Sequence, residues 1–419
     1  MSVTGIVCEF NPFHRGHAYL IDRLRGQNPD AAVVCVLSGG FVQRGEPALF
    51  PTSDRAAAAL ACGADLVLLL PFPYCMAPAE IFAESGMFLL RAAGCDSIAF
   101  GTEGDVLPRL KTAAVHLSSE EFEEAFHAAL RRPENAGCGY PALRAEVYAS
   151  LYGAQEAALL RTPNNLLAAE YLRATENLRA SSGLVPIAVP RIGDAHDAPF
   201  REEDSVTASA SAVRALFLSG RTDEALSLLP PSSAEIFSRA VRAGSAASEA
   251  APAASALLLW HYRNTPAEEL SRYAGLGGGL AGRFCSAARE ASDLRSFFSL
   301  AKTKKYTDAA LRRAAWFGFF GVTEEELHTP PAFLQVLALN ERGAAVLKRI
   351  RKTCPVPVLS RFSSFRKLPE EQRRLVLRSF RAEQMRNLLS VSPVSEADCF
   401  RKQIAVCPSR MTDDGLPIS

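Results

Sequence analysis

The sequence is short of several features that point directly to a function. It has almost no net charge: among 419 residues, 46 Lys and Arg stand against 45 Asp and Glu, a formal +1. The molecule as a whole therefore has no bias toward nucleic acid or an anionic membrane, and any such bias has to be local. No Cys-x-x-Cys pair is present. The ten cysteines, from Cys8 to Cys407, are scattered and mostly lie inside apolar runs. That excludes a zinc ribbon or a redox dithiol and fits the reduced core of a cytoplasmic protein. The longest apolar run, near Leu66 to Leu70, falls far short of the roughly 20 residues a spanning helix needs. The chain also does not open with a basic segment followed by a long apolar core, so neither secretion nor membrane insertion is expected. No internal repeat occurs.

At this length, with 48% hydrophobic residues, the chain can bury two or three domain cores. Short apolar runs alternate with helical patterns at its start. Gly5 to Phe10, Ala31 to Leu37, Asp65 to Leu70 and Ser97 to Phe100 read as strands, separated by helices over about Gly16 to Arg25, Ser53 to Cys62 and Ala79 to Ala93. A fifth strand, Val185 to Val189, follows a helical stretch from about Leu166 to Arg179. Continuous apolar strands alternating with helices predict a parallel sheet covered on both faces. The expected architecture is an α/β, Rossmann-like domain over residues 1–200. Beyond it strand signals fade, and a mainly α-helical domain is expected over 201–419, as in Ser211 to Leu218, Ala254 to Tyr262, Asp308 to Trp316 and Glu370 to Leu388. The alanine-rich stretch Gly244 to Pro252 reads equally as linker or helix, and the polar tail from Pro408 is expected to fray.

The sharpest signal is Gly5-Ile6-Val7-Cys8-Glu9-Phe10-Asn11-Pro12-Phe13-His14-Arg15-Gly16-His17, a strand that passes through an Asn-Pro turn into His-x-Gly-His at a helix start. The carboxyl end of the first strand of a parallel sheet is where ligands bind. The following helix N-terminus offers free N–H groups and a positive dipole to phosphate. His14 and His17, three apart, project to one side of the first turn, and Gly16 leaves space for the close approach of backbone or an adenine ring. An isolated His-x-x-His is more simply a helix cap, but the strand, the turn and the glycine favour phosphate binding. A zinc site from His14, His17 and Cys8 lacks a fourth ligand, so no metal site is expected.

These residues, with further blocks in order, resemble the HIGH-motif nucleotidyltransferase superfamily and, within it, the bacterial tRNA(Met) cytidine acetate ligases. The blocks are Ser38 to Pro47, Gly63 to Val67 with Leu70-Pro71-Phe72, Phe100-Gly101-Thr102-Glu103, Pro163-Asn164-Asn165, Arg191 with His196-Asp197, Ala208 to Arg214, and Thr303 to Thr307. The resemblance implies activation of acetate by ATP to acetyl-adenylate, with Mg²⁺, and transfer of acetyl to N4 of the wobble cytidine of elongator tRNA(Met). It also implies an ATP site formed by Val7, Cys8, Glu9, Phe10, Asn11, Pro12, Phe13, His14, Arg15, Gly16, His17, Ala18, Tyr19, Leu20, Gly101, Asn164 and Arg191.

Attack of a carboxylate on the α-phosphorus needs position and charge neutralisation rather than an enzyme nucleophile. His14 and His17 are the expected catalytic residues, and Arg44, Ser209, Ser211 and Arg214 are candidates for phosphate. Each has a plainer reading: Arg44 as a turn residue paired with Glu46, Asn164 as a helix cap, and the two serines as caps. Phe13, Phe41 and Tyr74 are candidates for a small acyl pocket or for ordinary core. Family members carry a lysine in the helix after the Arg-Gly-Glu-Pro segment and an acidic residue before Pro71. Here Arg55-Ala56-Ala57-Ala58-Ala59-Leu60 and Leu68-Leu69-Leu70 stand in those places, so the lysine's charge is expected to be missing.

The C-terminal part concentrates Lys and Arg, among them Lys302, Lys304, Lys305, Arg312, Arg313, Arg378 and Arg386, interleaved with Tyr306, Trp316, Phe317, Phe319, Phe320, Phe362 and Phe365. Such clustering suits a phosphate backbone, and aromatic side chains can stack on unpaired bases. A Lys/Arg run is otherwise a solvated helix face, and the Trp316 to Phe320 run suits core. Lys302, Lys304 and Lys305 are the expected tRNA contacts. A small-molecule adenylyltransferase is the alternative function, and a non-catalytic RNA-binding protein is a third. Roughly 200 residues beyond the first domain argue against the adenylyltransferase.

Overall fold

The computed structural model describes residues 1–135, 137–177, 183–191 and 208–401. Five parallel strands form where the apolar runs predict them: β1 (Val3–Cys8), β2 (Ala32–Ser38), β3 (Leu66–Leu70), β4 (Ser97–Thr102) and β5 (Val185–Pro190). Two more, β6 (Leu334–Leu339) and β7 (Val358–Leu359), complete the sheet in the order β5-β4-β1-β2-β3-β6-β7. The order reverses at β1, so the β1 and β4 carboxyl ends flank the crevice where ligands of open α/β sheets bind.

The strands alternate their side chains between two cores, as the two-residue period requires. Val34, Val36, Leu66 and Leu68 enter the core shared with α3 (Ala79–Ala92) and helix Pro163–Asn177. Val33, Cys35, Leu37, Val67 and Leu69 enter the one shared with α2 (Thr52–Ala61) and helices Ala210–Leu218 and Pro231–Arg242. Because both faces are covered, β1, β2 and β3 are buried at every position.

The expectation that strands end near residue 200 is corrected by β6, which pairs antiparallel with β3. Its six residues, five of them apolar, match a buried helix segment as well as a strand. The deciding contacts are remote: Asn340 donates from its backbone N–H to the Asp65 carbonyl at 3.0 Å and from Nδ2 to Asp65 Oδ1 at 2.9 Å. The second half also reaches the first through helix Glu370–Leu388. Arg386, 1% exposed, donates to the carbonyls of Ala48 at 3.0 Å, Leu49 at 2.7 Å and Ser245. Burial pushes that guanidinium down to about 10, still charged at neutral pH. Arg313 donates to the Gln43 carbonyl at 3.1 Å, and Arg378 pairs with Glu326. Those three arginines of the basic C-terminal set are thus spent on internal bonds. The interleaved aromatics are also mostly internal. Trp316 lies 5.0 Å from Phe41, Phe320 4.8 Å from Phe72, and Phe362 and Phe365 are buried. Among the described residues, no helix is long and apolar enough to cross a membrane.

Candidate functional site

The chain leaves β1 through Glu9 to Phe13, a turn that departs at once from extended backbone. Phe10 has φ of +42°, a left-handed conformation a bulky residue rarely adopts and one that clusters at functional sites. The second half holds the turn in place: Arg214 donates to the Asn11 carbonyl at 2.9 Å, and Ser233 Oγ to the Phe13 carbonyl at 2.8 Å. From the first half, Asn11 Oδ1 accepts the Leu49 N–H at 2.8 Å.

Helix α1 (Arg15–Gln27) then begins on a cap built from the two histidines. The Gly16 N–H donates to His14 Nδ1 at 3.0 Å, and the His14 N–H donates to His17 Nδ1 at 3.2 Å. The rings lie against each other at a centroid distance of 3.8 Å, tilted by 32°. Since both Nδ1 atoms accept, this hydrogen-bond pattern assigns the proton of each neutral imidazole to Nε2. The plain reading of the pair as caps and the reading as anion donors are therefore the same geometry: capping fixes the tautomer that makes Nε2 a donor. A Cβ at Gly16 would lie 2.8 Å from His14 Cε1, so the group approaching this glycine is the His14 ring itself. Gly16 also lines the cavity described next.

The turn, α1, the ends of β4 and β5, and the starts of two helices enclose a cavity of about 370 Å³. Val7, Cys8, Glu9, Phe10, Asn11, His14, Arg15, Gly16, His17, Tyr19 and Leu20 line it, together with Gly101, Asn164 and Arg191 from distant parts of the chain. Arg44, Ser209 and Arg214 join them. Pro12, Phe13, Ala18 and Ser211 do not: Phe13 is fully buried behind the turn, 5.5 Å from the His17 ring, and Ser211 lies within 3.5 Å of Arg214 Nη2. Phe41 and Tyr74 are core residues away from the wall, Tyr74 donating to the Thr329 carbonyl at 2.7 Å.

Asn164 lies inside helix 163–177 rather than capping it. It donates to Glu103 Oε1 at 2.5 Å, and Arg191 Nη1 stands 3.8 Å from the same oxygen. Glu103 is thus a positioning residue that the sequence reading left without a role. Ser209 caps helix 210–218 by accepting the Ala212 N–H at 3.2 Å, as the plain reading expected, and still lies on the cavity wall.

A second missed residue is Arg55, in the helix expected to lack a positive charge. It is fully buried in α2 and donates to the carbonyls of Glu9 at 2.7 Å, Phe50 at 3.1 Å and Gly39 at 2.5 Å. Its run of alanine neighbours hid it, and only the number of carbonyls converging on one point identifies it. Glu9 is the only carboxylate on the cavity wall among the described residues. Its Oε1 accepts the Gln43 N–H at 2.8 Å, and burial pushes its carboxyl above the usual range against the opposing effects of that N–H, Arg214, Arg55 and Arg44. Gly45 (φ +79°) completes the Gln43–Gly45 turn, where a Cβ would come within 2.7 Å of the Arg313 nitrogen in helix Asp308–Phe320. His196 and Asp197 lie outside the described residues.

Among the described residues no group of three or more His, Cys, Asp or Glu stands ready for a metal. A cage of protein oxygens for Mg²⁺ does not fit this lining. An ion carried in by a polyphosphate would suit it better.

The fold and the cavity define an α/β nucleotide-handling protein: a strand-to-helix turn at a topological switch point, with paired imidazole donors and several arginines. The comparisons with known proteins narrow this. A family model described as HIGH Nucleotidyl Transferase matches residues 1–398. The tRNA(Met) cytidine acetate ligase of Lysinibacillus sphaericus (strain C3-41) is 31% identical over 87% of this chain and 90% of that protein. The protein of that name from Listeria monocytogenes serotype 4a (strain HCC23) is 33% identical over 87% of this chain and 90% of its own. Among solved structures, Thermotoga maritima TmcAL in its apo form superposes with a TM-score of 0.88 at 27% identity, covering 97% of this chain and all of that one. The same protein bound with alpha-thio ATP gives 0.84. The chain belongs to the HIGH nucleotidyl transferase family and, within it, to the tRNA(Met) cytidine acetate ligases.

Proposed function

We propose that this protein is an ATP-dependent ligase that joins acetate to N4 of the wobble cytidine of elongator tRNA(Met), through acetyl-adenylate and with release of pyrophosphate and then AMP. The observation that carries this reading is the convergence of His14, His17, Gly101, Asn164 and Arg191 on one cavity, from four separate stretches of a chain whose relatives bear that name. A solved relative has alpha-thio ATP bound.

In this reading the nucleotide lies across the β1 and β4 ends, with its phosphates toward the Nε2–H groups of His14 and His17 and the start of α1. Arg44 and Arg214 neutralise the pyrophosphate as it leaves, while Asn164 and Arg191, set by Glu103, hold the nucleoside side. Acetate attacks the α-phosphorus, and catalysis consists of alignment and fixed positive charge. Mg²⁺ accompanying ATP would supply charge neutralisation on the phosphate oxygens. The exposed Lys304 and Lys305 lie on the tRNA-facing surface of this cytoplasmic enzyme.

The test is incubation with ATP, Mg²⁺ and labelled acetate, with and without unmodified methionine tRNA. Label in both acetyl-adenylate and cytidine is expected. Pyrophosphate release without acetyl products would favour the small-molecule adenylyltransferase and overturn the reading.

A further inference from the structure

Transfer of acetyl to the exocyclic amine of cytidine requires a proton acceptor, because N4 carries a proton too many once its lone pair has joined the acyl carbon. An acceptor must lie on the cavity wall, near the mixed anhydride, and keep a lone pair uncommitted. Among the described residues, Glu9 is the only Asp or Glu lining the cavity. The Gln43 N–H occupies Oε1 at 2.8 Å, whereas Oε2 takes no hydrogen bond from the described residues. The carbonyl of Gln43, in the next peptide unit, is itself held by Arg313 at 3.1 Å. Arg313 belongs to helix 308–320, which begins directly after Lys304, Lys305 and Tyr306. The side chain that fixes the carboxylate's partner therefore stands on the element entered from the basic segment.

We propose that Glu9 is the general base of acyl transfer, accepting the N4 proton on Oε2, and that Arg313 is a positioning residue acting through Gln43. The inference rests on the acetate-ligase reading above. In the step, the N4 lone pair forms the N–C bond, the C–O bond to the adenylate phosphate breaks, AMP leaves with that electron pair, and the N4 proton passes to Glu9. The proton then goes to solvent. A carboxylate whose burial raises it above its ordinary range is a stronger base for this task than an exposed one.

The experiment measures two half-reactions in the same preparation: acetate-dependent ATP–pyrophosphate exchange, and single-turnover transfer from enzyme-bound acetyl-adenylate to tRNA. Glu9→Gln keeps an oxygen for the Gln43 N–H and removes the basic site. Its ratio of transfer to exchange should fall by about 100-fold or more. Glu9→Asp should retain part of the transfer. ATP-dependent thermal stabilisation of each variant establishes that the site is folded.

The pH dependence supplies a readout that a structural role leaves unchanged. A raised carboxyl is protonated and inactive below its folded pKa, so wild-type transfer should rise with pH through that titration. Glu9→Gln should lose this limb. The groups that face Glu9 are Arg55 from α2, Arg44, Arg214, Cys8 and Cys75, with Tyr171 from helix 163–177. Burial raises the two thiols and the tyrosine, which are neutral across the range, and the arginines remain charged. Equal falls in transfer and exchange would assign Glu9 to nucleotide or metal binding and overturn the base. Transfer and exchange both at wild-type levels would leave the AMP phosphate as acceptor and overturn it as well. Wild-type protein without acetate-dependent exchange would overturn the ligase reading, and the inference with it, before any variant is compared.

Discussion

In the first half of the chain the cap that starts α1 is built by hydrogen bonds between near neighbours, whereas the second half contributes single side chains that cross more than 200 residues of sequence. In the β1–α1 unit the deciding hydrogen bonds join residues two or three apart: Gly16 to His14 and His14 to His17. From the other half, Arg214, Ser233, Arg313 and Arg386 each end on a backbone carbonyl of the first. A local motif can set tautomer and ring orientation, but it cannot set where its own turn sits relative to the strands. Polar side chains donating to carbonyls do that, and of these four Arg214 also brings a charge to the cavity wall. The comparison predicts that damage to the second half appears mainly as lost stability and damage to the first mainly as lost chemistry.

The largest expected effect is on the side of stability. Arg386→Ala strips donors from three carbonyls in a dry environment, and only part of the loss is offset by no longer burying a guanidinium. Unfolding free energy should fall by about 3–5 kcal/mol, read as a lower urea midpoint. A loss below about 1 kcal/mol would mean that water or a rearranged helix 370–388 replaces the arginine, and the proposed division of labour would lose its main support. Next come His14→Ala and His17→Ala, which should lower acetate-dependent pyrophosphate exchange by about 10²–10³-fold, or about 2.7–4 kcal/mol. Their affinity for tRNA should stay close to wild type in a filter-binding assay. Normal exchange in both would remove the chemistry from the motif.

The same contrast explains how much of the molecule is legible in the sequence. β1 to β5 follow from apolar runs because a doubly covered parallel strand must be apolar throughout. His14, Gly16 and His17 are legible because the motif's hydrogen bonds are short-range, and a Cβ at Gly16 would also meet the His14 ring, at 2.8 Å from Cε1. β6 escapes because Leu334–Leu339 has no alternation, and only the Pro330-Pro331 pair before it and Asn340 after it mark its ends. Arg55 escapes because a charge surrounded by alanines looks like a surface residue, and Glu103 because its role is to set Asn164 and Arg191, 61 and 88 positions away by the numbering. Basic residues of the second half read as one cluster in sequence. In the fold they divide into inward bonds, as at Arg313 and Arg386, and exposed ones, as at Lys304 and Lys305.

That division sharpens the third expectation. Lys304→Glu with Lys305→Glu should spare exchange and weaken tRNA binding by roughly tenfold near physiological salt, with a shallower dependence of affinity on salt concentration. Lys302 pairs with Asp308, so its replacement should add less. Unchanged affinity would move the tRNA surface to other exposed cations, such as Lys348, Arg351 or Arg366.

The smallest effect separates bracing from chemistry most cleanly. Ser233 is fully buried, and its Oγ donates at 2.8 Å to the carbonyl of Phe13, the residue before the His14 cap. Replacing it by Ala removes one hydrogen bond and little volume, and no charge changes. The carbonyl is left unsatisfied and the turn loses one of its anchors, while Arg214 still holds the Asn11 carbonyl. Stability should fall by about 1 kcal/mol, and the KM for ATP should rise by no more than a few-fold with kcat for exchange nearly constant. A brace displaced slightly weakens ground-state binding and transition-state binding alike, which is the pattern of a raised KM. A fall in kcat comparable with that of His14→Ala would show instead that the anchor controls the imidazole geometry directly. The second half would then take part in the chemistry through a neutral hydroxyl, with no contact to the nucleotide at all.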